Sequence, residues 1–265
     1  MMLDVVVLVA AAAVDVTSFI TASDASSQAF KTATLLKTLS VNALITGEPG
    51  VGKKSLAQYI LSDAPIIDAS SHDELQATLQ STQEIIITNL ENSPNIIKIA
   101  EIINLNSIRV VATSKTTFIN ETIDELFSLK FDIPPLSQRP EDVELLINKF
   151  IQEASLLFGT KEEFSFDNFI PDLSQNAASL KRQVMVHYLL QDIQDFELME
   201  IIENFVKPKL GSNSDYRKFL YLYEVPLIRA GLDKFKSQLQ LADKLGLNRN
   251  TLRKKIADNQ QYIKG

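Results

Sequence analysis

The chain has no cysteine and no tryptophan, and its two histidines are His72 and His187. Without cysteine there is no disulfide framework and no thiolate zinc site. Two histidines in unrelated contexts argue against a metal centre, and His187 reads as a packed or surface residue. A long hydrophobic span is missing too. Val5 to Val14 is apolar throughout, but a membrane helix needs about 20 such residues. Asp4 precedes the run and no Lys or Arg lies near it, whereas a secretory signal starts basic. No membrane partner is expected. The segment, about residues 1–17, reads as a strand, a docked tail or an untidy start site. Together these absences suggest a cytoplasmic protein.

The 265 residues leave room for two or three small domains. With 45% hydrophobic and 22% charged residues, the composition is that of a soluble globular protein. The net charge of −7 conceals an asymmetry. From Lys209 to Gly265 twelve basic residues face five acidic ones, whereas the rest of the chain has fourteen against twenty-eight. A basic end on an acidic body suggests a nucleic-acid module joined to something else.

The most informative stretch is VNALITGEPGVGKKSLAQYIL, Val41 to Leu61. Val41 to Thr46 is an apolar run of strand length. Three glycines in Gly47-Glu48-Pro49-Gly50-Val51-Gly52-Lys53 let the backbone turn tightly with its N–H groups inward. Lys53 adds charge, and the following helix adds its dipole. Such a loop cradles nucleotide phosphates. The general pattern ends in Ser or Thr, whose hydroxyl binds magnesium. Here that position is Lys54, and Ser55 lies about 100° further round the helix. The candidate phosphate-binding set is therefore Gly47, Glu48, Pro49, Gly50, Val51, Gly52, Lys53, Lys54 and Ser55. ATP or ADP is the implied ligand and magnesium is doubtful.

Around this loop the pattern alternates. A helix over Ser27–Leu39, capped by Ser23 or Ser26, carries Phe30, Ala33, Leu36 and Leu39 as an apolar stripe. Strands are expected at Val41–Thr46, Pro65–Ala69, Glu84–Asn89, Ser107–Thr113 and Phe131–Ile133. Helices are expected at Lys54–Leu61, His72–Ser81 and Pro94–Asn104, the last with Ile96, Ile97, Ala100 and Ile103. This predicts an α/β fold with a mostly parallel sheet covered on both faces. Ligands bind such sheets beyond the carboxyl ends of the strands. After Arg139-Pro140 only helices follow, Glu141–Phe158 and Ser179–Ile193, as in a helical lid. Lys207 to Ser214 reads as a linker.

Near the end, Leu239 to Ile256 (LQLADKLGLNRNTLRKKI) is laid out as a helix-turn-helix. Ala242 is small where two helices cross, Gly246 turns the chain and Asn248 caps the second helix. Leu252 and Ile256 face a core with Leu241, Leu245 and Leu247. That leaves Arg249, Asn250, Thr251, Arg253, Lys254 and Lys255, with Asn248, as the candidate DNA-binding set. Residues near the helix start suit base edges, and the later lysines suit phosphates.

Three stretches, Gly47–Lys53, Pro134–Val143 (PPLSQRPEDV) and Leu239–Ile256, resemble the NtrC-class sigma-54-dependent activators over about residues 18–265. That resemblance implies a P-loop AAA+ core over 18–139, a helical lid over 140–206 and a Fis-type helix-turn-helix domain over 207–265. It also implies a homodimer through the C-terminal domain, whose helix over about Tyr216–Lys236 is interrupted by Pro226. The same resemblance points to missing parts. The family's carboxylates after the third core strand match Thr88 and Asn89, and Glu91 comes two residues too late. The polar sensor matches Ser114. No arginine finger occurs in Ile123–Phe127, and the lid arginine matches Ala178. No GAFTGA loop occurs between Asp68 and Glu84.

The resulting expectation is a DNA-binding transcription regulator with an AAA+ domain that takes ATP or ADP and has lost hydrolysis. Two further readings stand beside it. One is a scaffold or antagonist of an intact AAA+ activator. The other is an active P-loop ATPase whose carboxylate comes from elsewhere, such as Glu91.

Overall fold

The computed structural model describes residues 19–115, 121–159, 164, 166 and 169–263. The apolar segment at residues 1–17 lies outside them. The chain divides into two compact units, 1–192 and 193–265.

In the first unit, helix α1 (Asp24–Thr38) leads into strand β1 (Ala43–Thr46), helix α2 (Lys53–Ile60) and strand β2 (Ile66–Asp68). Then come α3 (His72–Leu79), β3 (Glu84–Thr88), α4 (Ile96–Leu105), β4 (Arg109–Thr113), α5 (Glu121–Leu126) and β5 (Leu129–Asp132). The five strands form one sheet in the order β2-β3-β4-β1-β5, and every pairing is parallel. The expected α/β architecture is present. The first four strands end one or two residues inside the expected bounds, where the ladder stops, whereas β5 starts two residues earlier than expected, at Leu129, because Leu129 and Lys130 pair with Ala43 and Leu44 of β1.

Side-chain alternation explains the layering. Leu44, Ile85, Ile87, Val110 and Ala112 point to the face covered by α3, α4 and α5. Ala43, Ile45, Ile86 and Val111 point to the face covered by α1 and α2. Each fully buried Ile or Leu contributes about 1.5–3 kcal/mol. A one-residue slip would exchange the two faces, so the register is firmly specified.

Two expected stripe residues lie elsewhere. Leu39 is the extended residue that ends α1 and is exposed, while Ala29 joins Ala33 and Leu36 in the core. Ile97 is exposed on α4, and Ile99 is buried in its place.

Helices α6 (Pro140–Phe158) and α7 (Ala177–Leu190) form the lid. Val143, Ile147 and Phe150 pack with Leu180 and Val184. His187 lies against Phe164 and Phe169, as a packed residue.

The second unit is all helical: α8 (Asp195–Val206), α9 (Asp215–Phe219), α10 (Tyr221–Phe235), α11 (Gln238–Lys244), α12 (Arg249–Asp258) and α13 (Gln260–Ile263). Its core holds Ile228, Leu241, Ala242 and Leu252, with Leu245, Leu247 and Ile256 against it. The expected interruption at Pro226 is not observed. Helix α10 runs through Pro226 and the break falls at Leu220. Pro226 is exposed, so the carbonyl that its missing N–H frees can bond water. No helix among the described residues is long and apolar enough to cross a membrane.

Candidate functional site

The glycine loop occupies the carboxyl end of β1, between β4 and β5. Its backbone is tied down on one side. The ammonium of Lys53, itself 8% exposed, donates to the Gly47 carbonyl at 2.5 Å and the Glu48 carbonyl at 2.7 Å. The Pro49 carbonyl accepts from Asn176 Nδ2 at 3.0 Å, and the Gly50 carbonyl from the Ala177 amide at 3.2 Å. The Val51 carbonyl accepts from Arg139 Nη2 at 3.1 Å. Each carbonyl from Gly47 to Val51 therefore has a donor.

The amides tell the opposite story. Among the described residues, the N–H groups of Glu48, Gly50, Val51, Gly52 and Lys53 donate to no protein group. Gly52, at φ +107°, precedes α2 and gives the helix no side-chain cap. With these carbonyls engaged, the loop's unspent amides are the backbone groups it has left to offer an anion. Gly50 shows how tightly this is built. At φ +82°, an added Cβ would sit 2.5 Å from the Gln175 carbonyl oxygen.

The lid reaches the loop through Asn176, a residue that pattern alone gave no reason to single out. It is 1% exposed and at φ +52°. Its Oδ1 accepts from the Leu136 amide at 2.7 Å, while Nδ2 also donates to Glu48 Oε2 at 3.0 Å. Arg139 and Asp142 make a second brace. They are 2% and 1% exposed and pair at 3.3 Å. Asp142 Oδ1 accepts from the amides of Ala22 and Ser23 at 2.8 and 2.9 Å, and from Ser26 Oγ at 2.9 Å. Its Oδ2 accepts from Ser23 Oγ at 3.0 Å. Burial pulls the Arg139 guanidinium below its ordinary pKa, and Asp142 opposes that.

Charge around Lys53 is acidic. Burial lowers the pKa of its ammonium; Glu91, then Asp132, act against the shift. Asp132 is engaged, accepting from Thr46 Oγ1 at 3.0 Å. The side chains of Thr88 and Asn89 turn towards β2. Asn89 Nδ2 donates to Asp68 Oδ2 at 2.6 Å, and Thr88 Oγ1 to the same oxygen at 3.5 Å. Burial raises the Asp68 pKa, but hydrogen bonds from Ser70, Asn89 and Thr88 outweigh it and leave the carboxyl below its usual range. Lys54 is exposed and Ser55 half-buried on α2.

In the second unit, the Asn248 side chain accepts from the Asn250 amide at 2.8 Å and caps α12. Gly246 makes the turn at φ +63°. Asn248, Arg249, Asn250, Thr251, Arg253 and Lys254 are exposed together. Lys255 leaves this group, being half-buried in an ion pair with Glu224 of α10. Sequence spacing placed it on the outer surface; position i+3 from the buried Leu252 instead brings its stem towards α10.

No family model matches the chain, and no curated protein matches it. Solved structures do. The crystal structure of NtrX from Brucella abortus in complex with ATP is 15% identical, with a TM-score of 0.56, covering 91% of this chain and 69% of that one. The NtrX complex with ADP is 16% identical, with a TM-score of 0.54, covering 90% and 69%. At such identity the likeness is one of fold. The chain has a P-loop AAA+-type α/β core with a parallel sheet, a helical lid and an all-α C-terminal region.

Proposed function

We propose that this chain is a DNA-binding regulator whose AAA+-type domain binds ATP or ADP and does not sustain hydrolysis. The observation that carries the nucleotide part is the loop itself. Its carbonyls are spent on Lys53, Asn176, Ala177 and Arg139, and its amides remain for phosphate oxygens. The NtrX structures with ATP and ADP, on the same fold, support this reading.

Slow or absent turnover follows from what the site lacks. Ala178 stands where the resemblance would put the lid arginine, and α5 (ETIDEL) carries no arginine. Loss of an arginine finger alone costs on the order of a thousandfold or more in rate. The unpaired Glu91 favours a second reading, an ATPase with a displaced carboxylate. Robust ATP turnover that disappears in Lys53→Ala would establish that reading over the first.

The DNA part rests on α12, which presents Arg249, Asn250, Thr251, Arg253 and Lys254 on one exposed surface after a capped start. Binding as a homodimer through the C-terminal unit fits paired half-sites. A gel-shift titration across salt tests it. Arg249→Ala should weaken binding, with a salt slope lowered by about one where a phosphate contact is lost. Unchanged binding by Arg249→Ala and Arg253→Ala would overturn this assignment.

A further inference from the structure

Three successive peptide groups of the glycine loop are clamped by residues outside it. The Pro49 carbonyl accepts from Asn176 Nδ2 at 3.0 Å, the Gly50 carbonyl from the Ala177 amide at 3.2 Å and the Val51 carbonyl from Arg139 Nη2 at 3.1 Å. All three donors stand where lid helices begin. Arg139 precedes α6, Asn176 precedes α7 and Ala177 opens it. By contrast, the Gly47 carbonyl is held by Lys53 of the loop itself.

A peptide group is planar, and in its trans form the carbonyl and the following N–H point in opposite directions. No cis peptide bond occurs among the described residues. A donor that fixes one carbonyl therefore fixes the aim of the next amide. Asn176 sets the amide of Gly50, Ala177 that of Val51, and Arg139 that of Gly52. These are three of the amides that donate to no protein group. Gly50 and Gly52, at φ +82° and +107°, have no side chain to restrict the peptide planes beside them. Their direction has to be imposed from outside. The residues that impose it are themselves fixed. Asn176 is 1% exposed, and its Oδ1 accepts from the Leu136 amide at 2.7 Å. Arg139 is 2% exposed and pairs with Asp142 at 3.3 Å.

We propose that Asn176 and Arg139 are positioning residues for the phosphates, so that the lid acts on a bound nucleotide through the direction of the loop's amides. The inference rests on the nucleotide-binding reading above. The ligand part concerned is a di- or triphosphate chain, whose oxygens gain most from donors arranged in advance. A lid displaced by about 1 Å would leave every amide present and misdirected. Phosphate affinity is thereby tied to lid packing without a lid side chain having to touch the ligand.

Amide proton shifts of the isotope-labelled full chain, followed by nuclear magnetic resonance during titration with ATP or with inorganic tripolyphosphate, test this. A hydrogen bond to phosphate moves an amide proton downfield, so Gly50, Val51 and Gly52 should all move in the wild type. Asn176→Gly is a mild probe, because φ +52° suits glycine and only the side chain is lost. It should lose the response at Gly50 and keep the one at Gly52. Arg139→Lys keeps a cation beside Asp142, and should lose the response at Gly52 and keep the one at Gly50. Each should weaken tripolyphosphate binding about tenfold. A merely structural role would lower the melting temperature and leave the pattern among the three amides unchanged. The proposal is overturned if either variant keeps the full shift at its own amide, or if both lose all three shifts in proportion. A check on the wild type needs no variant to fold. Tripolyphosphate should slow hydrogen exchange at the Ala177 amide, since coupling between loop and lid is reciprocal; unchanged exchange there overturns the proposal. Failure of the wild type to bind either ligand overturns the nucleotide reading and this inference with it, whereas normal binding with unaffected variants overturns this inference alone.

Discussion

The glycine loop and the face of α12 are built in opposite ways. The loop offers backbone amides, and buried side chains from distant parts of the chain hold it in shape. Helix α12 offers exposed side chains on a small core, with Asn248 setting its start. The difference teaches where function and stability are coupled. Changes around the loop should disturb folding and ligand binding together. Changes to the exposed residues of α12, Arg249 to Thr251 with Arg253 and Lys254, should disturb binding alone.

The largest effect that would sharpen this contrast is expected at the brace behind the loop. Asp142→Ala leaves Arg139 buried and unpaired, and strips acceptors from Ser23, Ser26 and the start of α1. Breaking such a pair costs about 3–5 kcal/mol, measurable by denaturant titration. Next comes the loop. Gly50→Val forces a branched side chain to φ +82° and against the Gln175 carbonyl. A loss of about 2 kcal/mol is expected, together with loss of nucleotide binding. Should Gly50→Val bind nucleotide normally, the account of lid and loop would break.

On α12 the expectation reverses. Arg253→Ala should cost about 1–3 kcal/mol in DNA affinity where it reads a base, with a melting temperature like that of the wild type. Lys255→Ala should do less to DNA binding and more to stability, because Lys255 is committed to Glu224. Equal effects of the two substitutions on DNA affinity would contradict that division.

The smallest effect concerns acid. Burial raises the pKa of the Asp68 carboxyl in the fold, but hydrogen bonds from Ser70, Asn89 and Thr88 outweigh it and hold the group below the usual carboxylate range. Its contribution is present above the unfolded pKa and lost as pH falls through the folded one. Asn89→Ala removes one of these bonds. The acid limb of the stability curve should then move to higher pH, as followed by circular dichroism.

Much of the fold was legible in local pattern. The apolar strands, the glycine loop, the Ser23 and Asn248 caps and the turn at Gly246 each depend on residues close in sequence. The braces were not legible. Asn176 meets Glu48 and Pro49, and Asp142 meets Ser23, only after the lid has packed, and composition carries no trace of such pairings. Pro226 was read as a break because its missing N–H normally ends a helix. An exposed position with water available tolerates it.

Nucleotide binding by the loop is the central claim, and thermal unfolding with and without ligand tests it most directly. A ligand that binds only the folded state adds about 2.7 kcal/mol at a hundred times its Kd. ATP and ADP should each raise the melting temperature of the wild type, and Lys53→Ala should lose that rise. No rise at millimolar nucleotide, or a rise of equal size in Lys53→Ala, would contradict the account.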